Sequence, residues 1–268
     1  MTTAIGIDIG GTNIKAARID TRTGALVSDR IAVPTPQPAT PQAVAGAVAD
    51  TIVALGADPE ASGACPCVGV AVPAVVQHGI TRTAANIDRS WIGANAVTVF
   101  ERTLGRPVAM LNDADAAGIA EASFGAAHAV PGVVMVVTLG TGIGSALLID
   151  GRLVPNTELG HLCHGDVDMC FWACAKAMTR EGLTWTEWAA RLQVFLARAE
   201  ELIWPDLFVI GGEISREADT FLPMVTLQTP VVPALLGNDS GIIGAAMAAV
   251  GPTDVKTKRD NPHTPDRG

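Results

Sequence analysis

The stretch Ala4-Ile5-Gly6-Ile7-Asp8-Ile9-Gly10-Gly11-Thr12-Asn13-Ile14-Lys15-Ala16-Ala17 decides the fold. Apolar and small residues run to Ile9, the chain turns at Gly10-Gly11-Thr12, and the apolar pattern resumes through Ile14, Ala16, Ala17 and Ile19. That is the pattern of a β-hairpin with a glycine-rich tip. The same pattern returns in the second half: an apolar run Val133 to Val137, the turn Thr138-Leu139-Gly140-Thr141-Gly142-Ile143-Gly144, and a further strand Ser145 to Ile149. Two such units imply a duplicated α/β fold whose hairpin tips face each other across a ligand cleft.

Working outward, a third strand is expected around Leu26 to Val33, then a proline-stiffened link (Pro34, Pro36, Pro38, Pro41) and a helix from Gln42 to Leu55. Buried strands are expected at Val68 to Val72 and Pro107 to Leu111, with Asn112-Asp113 turning into a helix from Ala114 to Phe124. Thr184 and Glu187 form a capping box for a helix whose core stripe reads Trp188, Leu192, Phe195, Leu196, Ala199, Leu202 and Ile203, stopped by Pro205. A strand at Leu207 to Ile210 ends in Gly211-Gly212, and a last helix covers Gly241 to Val250. The expected organisation is a first domain over 1–111, a second over 112–237, a helix of about 238–250 packing back on the first, and a disordered polar tail over 251–268.

Composition narrows the function classes. The chain has 268 residues, 49% hydrophobic and 17% charged, the balance of a compact enzyme, and its core is aliphatic because aromatics are 4% and Tyr is absent. A formal charge of −9 supplies no broad basic face for nucleic acid or anionic membrane. No signal-peptide pattern opens the chain and no apolar run approaches the roughly 20 residues of a membrane helix. The cysteines Cys65, Cys67, Cys163, Cys170 and Cys174 are odd in number and too few for a disulfide framework, so a cytoplasmic location is expected.

Four groups of residues carry chemistry. In Asp8 to Lys15 a carboxylate at a strand end precedes a turn rich in backbone N–H groups, a suitable cradle for phosphate oxygens with Mg²⁺ held at Asp8 directly or through water. The second turn is not a Walker loop, because no Lys-Ser/Thr follows its glycines, and it opens a strand rather than the helix of a dinucleotide fingerprint. Asn112-Asp113 with Asp115 sits between a strand and a helix; an acidic residue there either caps the helix or accepts a proton from an attacking hydroxyl, and the sequence does not choose Asp113 over Asp115. In Thr157-Glu158-Leu159-Gly160-His161, Glu158 and His161 share a face if the segment is helical, an acceptor beside a donor/acceptor that suits vicinal sugar hydroxyls.

With Asn86-Ile87-Asp88-Arg89-Ser90-Trp91 added, these motifs together resemble the ROK family of bacterial sugar kinases, and within it the polyphosphate glucokinases and polyphosphate/ATP-glucomannokinase, from Ile5 to about Val250. The resemblance implies an actin-like (ribonuclease H-like) two-domain α/β fold, with duplicated mixed sheets flanked by helices and the sugar in the cleft. It implies Asp113 as catalytic base and Asn86, Asn112, Asp113, Glu158 and His161 as the sugar-binding set. It places donor phosphates near Gly10, Gly11, Thr12, Lys15, Thr138, Gly140, Thr141, Gly142, Gly211 and Gly212, with Mg²⁺ near Asp8, in a homodimer. The implied reaction is phosphoryl transfer from inorganic polyphosphate or ATP to the 6-hydroxyl of glucose, with mannose as a further acceptor.

Two departures stand out. Many members carry a zinc-binding cysteine cluster after the matching histidine, but Cys163, His164, Cys170 and Cys174 do not have its spacing, so structural zinc is not expected. Glu213 stands where close relatives have a third glycine, and a carboxylate there disfavours a nucleotide. The alternatives are a strictly ATP-dependent glucokinase, an N-acylhexosamine or fructose kinase, and a sugar-binding protein without catalysis; the last conflicts with the intact Asp113 and glycine turns. A ROK-type repressor is not expected, because seven residues ahead of Asp8 leave no room for a DNA-reading domain. A basic track for polyphosphate would draw on Lys15, Arg82, Arg89, Arg152, Lys176 and Arg180, which are scattered in sequence.

Overall fold

The structure is a computed structural model that describes residues 3–56 and 67–251, so Cys65 and the tail from residue 252 lie outside the described residues. The opening hairpin forms as its alternation requires. Strand β1 (Thr3–Ile9) pairs antiparallel with β2 (Asn13–Asp20), and β2 with β3 (Ile31–Pro34). On its other edge β1 pairs in parallel with β4 (Cys67–Val72), and β4 with β7 (Val108–Asn112), giving the order β3-β2-β1-β4-β7. A small hairpin of β5 (Val76–Gln77) and β6 (Ile80–Thr81) follows β4.

The second half repeats this topology. Strands β8 (Val133–Leu139), β9 (Ile143–Ile149) and β10 (Arg152–Val154) are antiparallel neighbours. Strands β13 (Leu207–Gly211) and β14 (Val231–Pro233) extend the sheet in parallel beyond β8, in the order β10-β9-β8-β13-β14. Between the two halves of this sheet the chain makes a hairpin of β11 (Cys163–His164) and β12 (Val167–Asp168). Each sheet thus carries one glycine-tipped hairpin and two parallel strands, the duplication that the two glycine turns imply.

Period-two burial sorts each strand's residues between two faces. Ile5, Ile7 and Ile9 of β1 join a core with Val44 and Val48 of α1 (Pro41–Ala54) and Phe100 of α2 (Ala96–Leu104). The opposite face of β1 offers Ala4, Gly6 and Asp8 to the last helix. In the second sheet Met135, Val137 and Leu139 pack on Trp188, Leu192 and Phe195, where each large side chain taken fully out of water contributes on the order of 2–3 kcal/mol. Those residues belong to the long helix Trp185–Ile203 (α6), which begins with the expected Thr184–Glu187 capping box. Ahead of it come the short helices α4 (Met169–Trp172) and α5 (Ala175–Glu181), and α7 (Ala218–Phe221) follows β13.

Between the sheets cross α3 (Asp113–Phe124) and α8 (Ser240–Val250), both rich in Ala and Gly. A Cβ placed on Gly69 of β4 would lie 1.7 Å from the Ala245 carbonyl oxygen, and one on Gly244 1.7 Å from that of Ala116. Only glycine permits backbones to approach this closely. At the far end of α3 the fully buried Glu121 accepts backbone N–H bonds from Ala126 (2.7 Å), Leu235 (3.2 Å) and Leu236 (2.9 Å), which ties α3 to the chain leading into α8.

Some expectations need correction. The third strand is shorter than expected, since Leu26 makes only an isolated bridge to Ile19 and the ladder starts at Ile31. Leu202 is 52% exposed rather than part of the core stripe of α6: it lies at the outer edge of that stripe, while Ile203 in the same turn still packs on the core. The cap of α3 is Asn112, whose Oδ1 accepts from Ala114 N–H at 2.8 Å and Asp115 N–H at 3.2 Å, so Asp113 is the first residue of the helix and not its cap.

The close crossing gives a stability prediction. Gly244→Ala should destabilise the protein by about 3 kcal/mol, because the backbones of α8 and α3 must separate to admit one methyl group; chemical denaturation would show the midpoint falling with an unchanged slope.

Candidate active site

At both glycine tips backbone carbonyls are already engaged. At the first tip the Gly10 carbonyl accepts the Thr35 hydroxyl at 2.7 Å and the Thr12 carbonyl accepts Thr35 N–H at 2.9 Å. At the second, the Gly140 carbonyl accepts Lys176 N–H at 3.0 Å. Among the described residues the amides of Gly11, Thr12, Thr141 and Gly142 take no hydrogen-bond partner, so each tip presents free donors of the kind that bind phosphate oxygens. Register places Gly211 beside Thr138, so Gly211-Gly212 adjoins the second tip. Glu213 turns outward, exposed and 3.8 Å from Arg216, which partly offsets its charge.

Of the basic residues, Lys15 and Lys176 reach the tips, Lys15 through its register on β2 and Lys176 through its bond to Gly140. Arg180 is instead paired with Glu181 at 2.5 Å and donates to the Phe171 carbonyl at 2.7 Å.

Three carboxylates converge where β1, α3 and the Glu158 turn meet. Asp8 is 19% exposed and has Lys15 Nζ at 3.5 Å; burial raises its pKa above the usual carboxylate range and Lys15 partly opposes the rise. Asp113 accepts Ala114 N–H at 2.9 Å. Its pKa is raised to about 7, first by burial, then by the negative charges of Asp8 and Glu158, against the lowering effect of the Ala114 amide. Asp115 is raised to about 6, mainly by burial, but it is 2% exposed and its Oδ2 accepts Asn156 N–H at 2.8 Å. The geometry therefore separates the two: Asp113 faces the other carboxylates, and Asp115 holds a loop. That loop carries Asn156, whose amide exchanges hydrogen bonds with both backbone groups of Val76 at 2.9 and 3.0 Å, linking the two halves of the molecule.

Glu158 and His161 do not share a helical face in the simple sense. Glu158 precedes a single 3₁₀ turn, Leu159–His161, and is exposed. The buried Ser145 hydroxyl holds it in place, donating to the Thr157 carbonyl and accepting Leu159 N–H at 2.9 Å, on either side of Glu158. Gly160 lies against the Ile143 carbonyl, where a Cβ would come within 1.9 Å, so this turn is pressed onto the start of β9. His161 Nδ1 lies 2.9 Å from Asp168 Oδ2. Asn86 is exposed with φ 59°, and its carbonyl lies beside Gly11, which brings that loop to the first tip. Asn112 is buried, with its oxygen used in capping and its Nδ2 3.5 Å from the Ala74 carbonyl.

Sequence reasoning missed Ser145, Asn156 and Asp168. Ser145 had a signal, a hydroxyl at an inward position of an apolar strand; the other two act through contacts that spacing does not show. The cysteines and histidine considered for zinc do not converge, since Cys163 and His164 are exposed while Cys170 and Cys174 are buried. The potential ligand atoms that do approach one another, within 4.8 Å, belong to His161, Asp168 and Cys170. For Mg²⁺, Asp8 fits: a largely buried carboxylate approached by the Lys15 ammonium at 3.5 Å keeps lone pairs for a hard cation.

Fold and site together define an α/β protein of two sheets with like topology, each with a glycine turn that presents free amides, and with a cluster of carboxylates around the start of α3. Residues 4–183 match the ROK family, and the chain belongs to it, with that family's actin-like fold. It is 47% identical to polyphosphate glucokinase of Mycobacterium tuberculosis over 92% of this chain and 91% of the relative. It also matches the crystal structure of inorganic polyphosphate/ATP-glucomannokinase from an Arthrobacter strain, with 50% identity, TM-score 0.88, and coverage of 93% of this chain and 99% of that one. A ROK glucokinase from Streptomyces griseus shares the fold at TM-score 0.78 and 24% identity, over 92% and 99% of the two chains.

The carboxylate cluster can be tested directly. Carbon-13 NMR titration of Asp113 should give a midpoint of about 7. Asp8→Asn, by removing one like charge, should move that midpoint to lower pH.

Proposed function

We propose that this protein transfers a phosphoryl group from inorganic polyphosphate, and from ATP, to the 6-hydroxyl of glucose, with mannose as a further acceptor. The observation that carries the reading is Asp113, a half-buried carboxylate at the start of α3 that feels the charges of Asp8 and Glu158 and whose pKa is raised to about 7. The likeness to polyphosphate glucokinase and to the glucomannokinase supports the choice of donor and sugar.

In this reading Asn86, Asn112, Glu158 and His161 hold the sugar and orient its 6-hydroxyl. Asp113 accepts the hydroxyl proton as the oxygen forms its bond to the terminal phosphorus, while the bond to the shortened polyphosphate or ADP breaks and the leaving oxygen keeps the electron pair. The free amides of Gly11, Thr12, Thr141 and Gly142, the hydroxyl of Thr138 and the ammonium of Lys15 hold the donor, while Gly10 and Gly140, whose own amides close the two turns, let the backbone approach it, with Gly211 and Gly212 beside them. Mg²⁺ held at Asp8 would supply charge neutralisation of the phosphates. Closure of a first lobe (residues 1–111, with α8 packed on it) over a second (112–237) would keep water from competing as acceptor. No helix among the described residues is long and apolar enough to cross a membrane. A cytoplasmic homodimer completes the proposal.

Asp113→Asn should bind sugar but lose about two to four powers of ten in turnover. It should also raise the melting temperature at neutral pH. The sign follows from the raised pKa: the fold prefers the protonated acid, so stability falls as pH climbs from the ordinary carboxylate range to about 7, and the neutral amide avoids that loss. Near-normal turnover would remove Asp113 as base.

The deciding assay measures glucose 6-phosphate with Mg²⁺ and glucose, in parallel with ATP and long-chain polyphosphate, and mannose 6-phosphate with mannose. Product with polyphosphate is expected. Product with ATP alone would keep the kinase and discard the donor; no product with either would leave another sugar acceptor or a sugar-binding protein without catalysis.

A further inference from the structure

We propose that Asp168 is a positioning residue that fixes the tautomer of His161 and so decides which hydrogen bond the sugar must make. This rests on the reading above that His161 faces the sugar. Asp168 ends β12 and caps α4: its Oδ1 accepts Cys170 N–H at 2.9 Å while its Oδ2 lies 2.9 Å from His161 Nδ1. Both oxygens are committed, one to a backbone amide that cannot reverse its role. An ionised carboxylate only accepts, so Nδ1 must carry the hydrogen and the neutral ring keeps Nε2 as a lone-pair acceptor.

The consequence is a polarity rule for the ligand. Glu158, three residues before His161, also accepts only. The two side chains therefore recognise a pair of hydroxyls that both donate, which a vicinal diol satisfies and an ether or a carbonyl at either position does not. The segment that fixes this polarity also grips the donor-side tip: the Cys170 sulfur accepts Ile143 N–H at 3.2 Å, and the Gly140 carbonyl accepts Lys176 N–H at 3.0 Å. Residues 168–176 thus support both the sugar-side histidine and the second glycine turn.

Asp168→Asn is a discriminating variant. Its single side-chain oxygen can keep the Cys170 cap, which turns the amide NH₂ toward His161 Nδ1 and forces that nitrogen to accept. The hydrogen then moves to Nε2, and the acceptor facing the sugar becomes a donor, a change of tautomer with little change of shape. Long-range proton–nitrogen NMR of the full chain, labelled on histidine nitrogen and assigned against His161→Gln, reads the tautomer without substrate. The expected result is Nδ1–H in the parent protein and Nε2–H in Asp168→Asn. Glucose KM should then rise by about ten- to a hundredfold, more than kcat falls, with an unchanged denaturation midpoint. An Nε2–H tautomer in the parent protein, an unchanged tautomer in the variant, an unchanged KM, or a zinc-induced shift of Nδ1 would each overturn the proposal. Because the tautomer is read with no sugar present, a wrong tautomer sinks this proposal with phosphorylation intact. Absence of sugar phosphorylation by the parent protein would instead sink the function and leave the tautomer standing.

Discussion

Everything in this molecule hangs on how closely two small-residue helices cross between the sheets. With Gly69 and Gly244 at the contacts, α8 lies directly on β4 and α3 directly on α8, so the two halves share one thin backbone-to-backbone seam. The seam sets where the N-terminus of α3 emerges, and that terminus carries Asn112 and Asp113. It also brings Gly241 of α8 to the carboxylate of Asp8, where a Cβ would sit 2.9 Å away. The position of the reactive carboxylates is thus inherited from packing rather than from the loops that surround them.

At that position two effects compete for the ionisation of Asp113. The amide ends of a helix N-terminus favour a carboxylate, by at most about 2 kcal/mol in partly buried geometry. Burial, with Asp8 and Glu158 nearby, acts the other way, and it wins, since the pKa rises to about 7. A carboxyl held near neutrality suits proton acceptance from an alcohol better than one at its ordinary value, because proton transfer is most efficient when the acceptor's pKa lies near the working pH. Keeping this carboxyl near neutrality costs the fold some stability at neutral pH, a cost that the proposed role of Asp113 as base would account for.

Much of this was legible in the residues. The paired glycine turns gave the duplicated topology, period-two alternation gave the faces of β1 and β8, and the Thr184–Glu187 box gave the start of α6. Asp8 and Asn112 stand at the ends of β1 and β7 as the order of the motifs suggests, whereas Glu158 and His161 are carried by a short turn and Asn86 by a loop. What sequence did not show was support. Whether Asp113 or Asp115 faces the other carboxylates depends on about half a turn of helix rotation, which is set by Asn112 taking the cap. That Ser145 clamps the Glu158 turn, or that Asp168 returns across a two-stranded hairpin to His161, depends on contacts between segments whose spacing carries no periodic signal. Leu202 shows the converse limit: a residue at the edge of a hydrophobic stripe fits the spacing yet stays exposed, while Ile203 beside it packs on the core.

Glu121 gives the seam a mechanical meaning. Its carboxylate, buried at the end of α3 remote from the cleft, collects amides from both sides of the crossing and makes that end the stiff one. Asp113 lies eight residues away along the same helix, a lever arm of about 12 Å. A rotation of about ten degrees pivoting on Glu121 would therefore carry the Asp113 end about 2 Å, the difference between a hydrogen bond to an attacking hydroxyl and none. If Asp113 is the base, a small change of angle set at Glu121, at the other end of the helix, would be enough to make or break its contact with the acceptor.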